Sequence, residues 1–130
     1  MATIEFVGHS VLIVDDHPSF RASARVLLES EGFTVVGEAP DGATAVTETY
    51  RLRPELVLLD IGLPDCDGFD VCKEIIGRGG TTPAVILVSS RDASDFGPLV
   101  SRSGALGFVP KAELSGERLE ALLSWQSPAN

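Results

Sequence analysis

Long apolar runs are missing from this sequence. The longest, Ala84 to Val88, has five residues, against the roughly 20 a membrane-spanning helix needs, so the chain is not expected to cross a bilayer. Cationic residues are scarce too: ten Lys and Arg face nineteen Asp and Glu, a formal charge of -9. Such a surface is repelled by phosphate backbones and anionic lipid, which argues against direct nucleic-acid or membrane binding. Cysteine is limited to Cys66 and Cys72 in a C-x5-C spacing. That spacing matches neither a zinc knuckle nor a redox pair, and both read as reduced thiols. The opening residues lack the cationic, apolar and small-residue succession of a secretory signal, so a cytoplasmic location is expected.

What is present describes one globular unit. The chain has 130 residues, 44% hydrophobic and 22% charged, which suits a single core and excludes collagen-like or disordered classes. Five short runs rich in Val, Ile and Leu recur: Val11 to Val14, Val35 to Val36, Leu56 to Leu59, Val85 to Val88 and Leu106 to Val109. They do not alternate with polar residues, as expected of parallel strands buried on both faces.

Helical patterns lie between the strands. Phe20, Ala24, Leu27 and Leu28 share one stripe, with Gly32 where a C-terminal cap belongs. Asp41 opens a second helix that must stop before Pro54, and Asp67 opens a third bearing Val71, Ile75 and Ile76 and ending at Gly77. Asp92 to Ser103 forms the weakest helix, interrupted by Gly97-Pro98, and Glu113 to Ser124 forms the last. Five successive βα units predict an α/β fold with a doubly wound, five-stranded parallel sheet. Residues 10–124 form this domain, residues 1–9 are expected to be a flexible extension and residues 125–130 a tail.

Ligands in such sheets bind beyond the carboxyl ends of the strands. There stand Asp15-Asp16 after the first strand, Asp60 after the third, Ser89-Ser90 after the fourth and Lys111 just past the fifth. Two carboxylates about 4 Å apart repel by roughly 4 kcal/mol at an effective dielectric of 20, and one ammonium cannot neutralise three. Either a proton is taken up or a divalent cation sits there. Hard oxygen donors suit Mg²⁺, the option preferred here. Singly, each residue has an ordinary role: an aspartate as helix cap, Ser89 as turn residue, Lys111 as surface charge. Their joint placement points to phosphoryl transfer, which needs positioning and charge neutralisation. His17 is expected to pack at the helix start rather than to bind metal.

These residues, with Asp15-Asp16-His17-Pro18, Asp41-Gly42, Pro64, Asp67-Gly68, Gly104-Ala105, Gly107 and Phe108, make the sequence resemble a response-regulator receiver domain from Ser10 to Leu123. The resemblance implies a (βα)5 flavodoxin-like fold with strand order 2-1-3-4-5. It implies that Asp60 accepts phosphate from a sensor histidine kinase, and that Mg²⁺ is held by Asp15, Asp16, Asp60 and the carbonyl of Gly62. Lys111 would pair with a phosphoryl oxygen, while Ser89 and Phe108 would form the switch that remodels the surface of helix four, strand five and helix five. Such a domain is a phosphoacceptor catalysing only its own phosphorylation and dephosphorylation, not a conventional enzyme. Ala112 stands where a proline commonly follows the lysine and supports a cis bond, so the sequence leaves the cis or trans state of the bond after Lys111 open, a cis bond without proline costing about 2.5 to 4 kcal/mol. Gly62 leaves the phosphoryl group uncovered from that side, and Arg91 is placed to reach across it.

Output would pass to a downstream protein or to a C-terminal output domain outside this sequence, with homodimerisation a further route. Two alternatives remain: a phosphorylation-independent interaction module, whose usual sign, loss of an acid or of the lysine, is missing, and a phosphohydrolase, which would need an acid where Gly62 stands.

Overall fold

The computed structural model of the chain describes residues 9–77, 82–90 and 96–125, the last by its backbone. The elements follow in the order β1 (Ser10–Val14), α1 (Pro18–Ser30), β2 (Thr34–Ala39), α2 (Gly42–Leu52), β3 (Leu56–Asp60), α3 (Gly68–Gly77), β4 (Ala84–Ser89), α4 (Leu99–Arg102), β5 (Gly107–Pro110) and α5 (Gly116–Trp125). The five strands pair in parallel in the order β2-β1-β3-β4-β5, as expected. The chain reverses direction across the sheet between β1 and β3, which makes the crevice beyond their carboxyl ends the natural site.

Alternate strand residues feed two cores. Val11, Ile13, Leu56, Leu58, Ile86 and Val88 pack with Ala24 and Leu28 of α1 and Leu119 of α5. Leu12, Val14, Val57, Leu59, Val85 and Leu87 pack on the other face with Ala45 of α2 and Val71 and Ile75 of α3. Burial of each such side chain is worth about 1.5–3 kcal/mol, so the runs that lack alternation are explained by apolar demand on both sides.

Local chemistry sets the helix ends. Pro18 occupies the first turn of α1, where its missing N–H is no loss. The helix closes with the Phe33 N–H donating to the Leu28 carbonyl and the Gly32 N–H to Glu29, with Gly32 at φ 97°. This is a Schellman cap, and the left-handed residue is the glycine that the pattern requires. The Asp41 side chain accepts from the Thr44 N–H at 2.8 Å to open α2, which ends at Leu52 before left-handed Arg53 and Pro54.

Three elements differ from the sequence expectation. β2 runs from Thr34 to Ala39 rather than over two valines, and a bulge shifts its register against β1 between Val11 and Leu12. Gly37 and Glu38 conceal it because neither is apolar. The described part of the fourth helix is one turn, Leu99–Arg102, with no buried residue. Pro98 begins that turn and Gly97 before it has φ 54°, a conformation that does not continue a helix backwards. The fifth helix starts at Gly116, not Glu113, because Lys111–Glu113 form a 3-10 turn and the Ser115 hydroxyl caps the Arg118 N–H.

The expected flexible ends at residues 1–8 and 126–130, the start of helix four at Asp92, and Arg91 lie outside the described residues. His9 is within them: its carbonyl accepts from the Thr34 N–H and its ring lies tilted against Phe33. No cis peptide bond occurs among the described residues, and none of their helices is long and apolar enough to cross a membrane.

Candidate phosphoacceptor site

Asp15 and Asp16 follow β1 directly, and Asp60 is the last residue of β3. Because β1 and β3 are neighbours, with Val14 opposite Leu59, the acids reach the same sheet edge. One ligand atom from each of Asp15, Asp16, His17 and Asp60 lies within 4.8 Å of the others. The 3-10 turn after β5 brings Lys111 over them, its Nζ 2.6 Å from Asp15 Oδ2 and 3.7 Å from Asp60 Oδ1. The same ammonium lies 4.5 Å from the centre of the Phe20 ring, a cation–π contact that holds it in the pocket from the α1 side. Thus the structure brings together all four expected charged residues.

Burial makes the cluster electrostatically tense. Asp15 is fully buried and Asp60 is 5% exposed. The Asp60 carboxyl is pushed above its ordinary range first by burial and then by the Asp15 charge, while Lys111 and the Gly62 N–H pull it down and Asp16 adds to the rise. Lys111 approaches Asp15 Oδ2 outside hydrogen-bond geometry, so the contact is an ion pair, and Asp15 Oδ2 and Asp16 Oδ1 accept no hydrogen bond among the described residues. Carboxylates gathered in a buried pocket with a single ammonium are costly, and their oxygens are the donor set that a hard divalent cation requires. The residues therefore fit a cation.

The loop after β3 is built around close backbone approach. The Gly68 N–H donates to the Ile61 carbonyl at 2.9 Å, and Gly62 pairs with Asp67. A Cβ on Gly68 would lie 2.5 Å from the Asp60 carbonyl oxygen and 2.6 Å from Ile61 Cα. Only glycine lets α3 begin against the residue that carries the central carboxylate. Ser89 ends β4 with its side chain buried, whereas Ser90 is exposed. Phe108, on β5, is half-buried and packs against Phe96 at 5.6 Å between ring centres, and Phe96 in turn against Phe69.

This geometry is matched in known proteins. The sequence pattern of the response regulator receiver domain covers residues 11–123. This chain belongs to the response regulator receiver domain family. The nitrate/nitrite response regulator protein NarP of Escherichia coli (strain K12) is 38% identical over 119 residues, 91% of this chain and 55% of NarP. The DNA-binding response regulator MtrA of Mycolicibacterium smegmatis is 41% identical over 103 residues, 78% of this chain and 43% of MtrA. The chain thus spans about half the length of these relatives.

Among solved structures, a two-component response regulator of the LuxR family from Aurantimonas sp. SI85-9A1 superposes with a TM-score of 0.80 at 30% identity, covering 89% of this chain and 85% of that one. The BeF3-activated N-terminal receiver domain of Klebsiella pneumoniae RstA gives a TM-score of 0.77 at 29% identity over 88% of this chain and 96% of that one. As a receiver, the domain is a phosphoacceptor switch module whose own catalysis is confined to gaining and losing the phosphoryl group.

Sequence reasoning missed four contributors to this receiver site. His17 stands at the helix start as expected, as the cap of α1, and in addition holds its Nδ1 3.0 Å from Asp15 Oδ1 and 3.1 Å from Asp16 Oδ1. Arg21 donates to the Asp15 carbonyl oxygen at 2.6 Å and is itself held by Glu38 of β2. Asp65, at the tip of the loop after β3, accepts from the N–H groups of Gly42 and Ala43 and so ties that loop to the start of α2. Phe20 supplies the ring under Lys111. Asp65 lies 23 residues along the chain from the helix start it ties down, so its local sequence carries no signal of the contact; for Arg21 and Phe20 the helical stripe alone carries none either.

Proposed function

We propose that Asp60 accepts a phosphoryl group from a phosphohistidine on a cognate sensor histidine kinase, and that the resulting acyl phosphate switches the surface formed by α4, β5 and α5. The observation that carries the proposal is the meeting of Asp15, Asp16, Asp60 and Lys111, drawn from the ends of three strands, in one buried pocket. Asp15, Asp16, Asp60 and the Gly62 carbonyl would hold Mg²⁺, which when bound supplies the positive charge that a transferring phosphoryl group needs. An Asp60 carboxylate oxygen attacks phosphorus in line; the O–P bond forms as the donor N–P bond breaks, and the electron pair returns to the departing imidazole. Lys111, already between Asp15 and Asp60, pairs with a phosphoryl oxygen.

Charge gained at Asp60 then draws the Ser89 hydroxyl inward, and Phe108 follows into the space behind it. Its half-buried ring next to Phe96 supports this role, because the inward and outward positions differ only in apolar packing. Couplings of this kind are worth about 1–3 kcal/mol, enough to bias an existing equilibrium rather than create a new state. The reading includes a cytoplasmic setting, and output through a downstream protein, a linked C-terminal domain or a second copy of the receiver.

Incubation with acetyl phosphate and Mg²⁺ followed by intact-mass measurement tests the proposal. The parent should gain one phosphoryl mass and Asp60→Asn none. A parent that binds Mg²⁺ yet gains no mass would leave an interaction module that works without phosphate.

A further inference from the structure

His17 is fixed by its neighbours in sequence. Pro18 bars the helical conformation from the residue before it, and His17 accordingly stands extended at φ -98° and ψ 111° as the cap of α1. Its backbone N–H donates to Asp15 Oδ1 at 2.8 Å. The side chain is thereby turned over the acids rather than along the helix. Nδ1 stands 3.0 Å from Asp15 Oδ1 and 3.1 Å from Asp16 Oδ1. In an octahedral site with bonds of 2.0–2.1 Å, adjacent donors are about 3 Å apart. Nδ1 therefore stands from each of two carboxylate oxygens as one donor stands from its neighbours in a coordination sphere, and one ligand atom from each of Asp15, Asp16, His17 and Asp60 lies within 4.8 Å of the others. A second observation agrees: Asp16, the nearer of the two acids to solvent, has its Oδ1 buried and accepting no hydrogen bond among the described residues.

We infer that His17 is a nitrogen donor of the cation site, so that the pocket takes first-row transition cations such as Mn²⁺ through imidazole as well as carboxylate. The inference rests on the reading of the pocket as a cation site and adds one ligand to it. With a cation bound, the ring would carry its proton on Nε2 and give up the hydrogen bond that Nδ1 makes to Asp15 Oδ1 in the ion-free pocket, so that the Nδ1 lone pair faces the ion. The His17 side chain is 63% exposed, so Nε2–H is solvated and needs no protein acceptor. Imidazole suits transition ions and adds little for Mg²⁺, which prefers oxygen donors and keeps several waters. The rival role, a plain counter-charge for the two acids, predicts no bond between nitrogen and a bound ion.

Pulsed electron paramagnetic resonance of the whole chain loaded with Mn²⁺ separates the two. The chain contains two histidines, so His9→Gln serves as the control. A nitrogen coupling at Mn²⁺ is expected in the parent and in His9→Gln, and is expected to vanish in His17→Ala and His17→Asn. Calorimetry should show Mn²⁺ affinity falling on the order of 10-fold in those variants, with Mg²⁺ affinity changed far less. Mn²⁺ bound without nitrogen coupling in the parent, or coupling that survives loss of His17, overturns the inference and leaves the acidic site intact. Failure of the parent to bind either ion overturns the cation-site reading together with the inference.

Discussion

As the proposed nucleophile, Asp60 carries two opposed demands, since a nucleophile must be ionised while its surroundings favour the neutral acid. Its pKa is raised by burial first and by Asp15 second. A carboxyl raised in the fold above its unfolded value is neutral in both states at low pH; as pH rises, the unfolded chain ionises first and stability is lost through the folded pKa. Asp60→Asn should therefore raise the stability of the metal-free domain at pH 7 by about 1–2 kcal/mol, the ordinary size of a single-site effect. The gain should shrink below pH 4. Urea titrations at both pH values check this, and an unchanged midpoint at pH 7 would sink the account of the pocket as strained. Three acids at strand ends were legible because each directly follows an apolar run. The contacts of His17 and Phe20 were not, since they depend on where α1 settles across the pocket.

At the scale of elements, α1 and β2 are joined by Glu38, whose carboxylate accepts from Arg21 at 3.0 Å and Arg25 at 2.8 Å. These bonds, Arg25 foremost and against some burial, hold its pKa below the ordinary glutamate range. Its contribution is present above the unfolded pKa and is lost as pH falls through the depressed folded value. Glu38→Gln should cost roughly 1 kcal/mol at pH 7 and converge with the parent in acid, as thermal melts across pH 2–7 would show. The junction of β3 and α3 is less forgiving. Gly68→Ala must push a Cβ against the Asp60 carbonyl, and a loss of about 1–3 kcal/mol is expected, with slowed phosphorylation from acetyl phosphate because Asp60, the proposed acceptor, shifts. The fourth helix should exchange its amide hydrogens faster than α1. Leu99–Arg102 bury nothing, whereas α1 buries Ala24 and Leu28, and equal protection would contradict the low local stability inferred from Gly97-Pro98.

For the molecule as a whole, small single domains unfold as a unit, so a cation at one edge stabilises all of it. At 100 times its dissociation constant, Mg²⁺ should add about 2.7 kcal/mol to the parent, read as a rise in melting temperature that Asp60→Asn largely loses. The alternation of apolar runs and helical stripes already determined the architecture, because burial on both faces of a parallel sheet imposes a pattern that each short segment carries by itself. The acids, the lysine and the caps Asp41 and Asp67 were determined in the same local way. Tertiary structure alone decided the rest. Lys111 pairs with Asp15 more closely than with Asp60, Asp65 caps a helix 23 residues upstream, and Glu31 accepts from the N–H of Gly116, 85 residues on. Such contacts depend on strand order and on the direction of each side chain once the layers have packed, and neither quantity is a property of the residues near them in the chain.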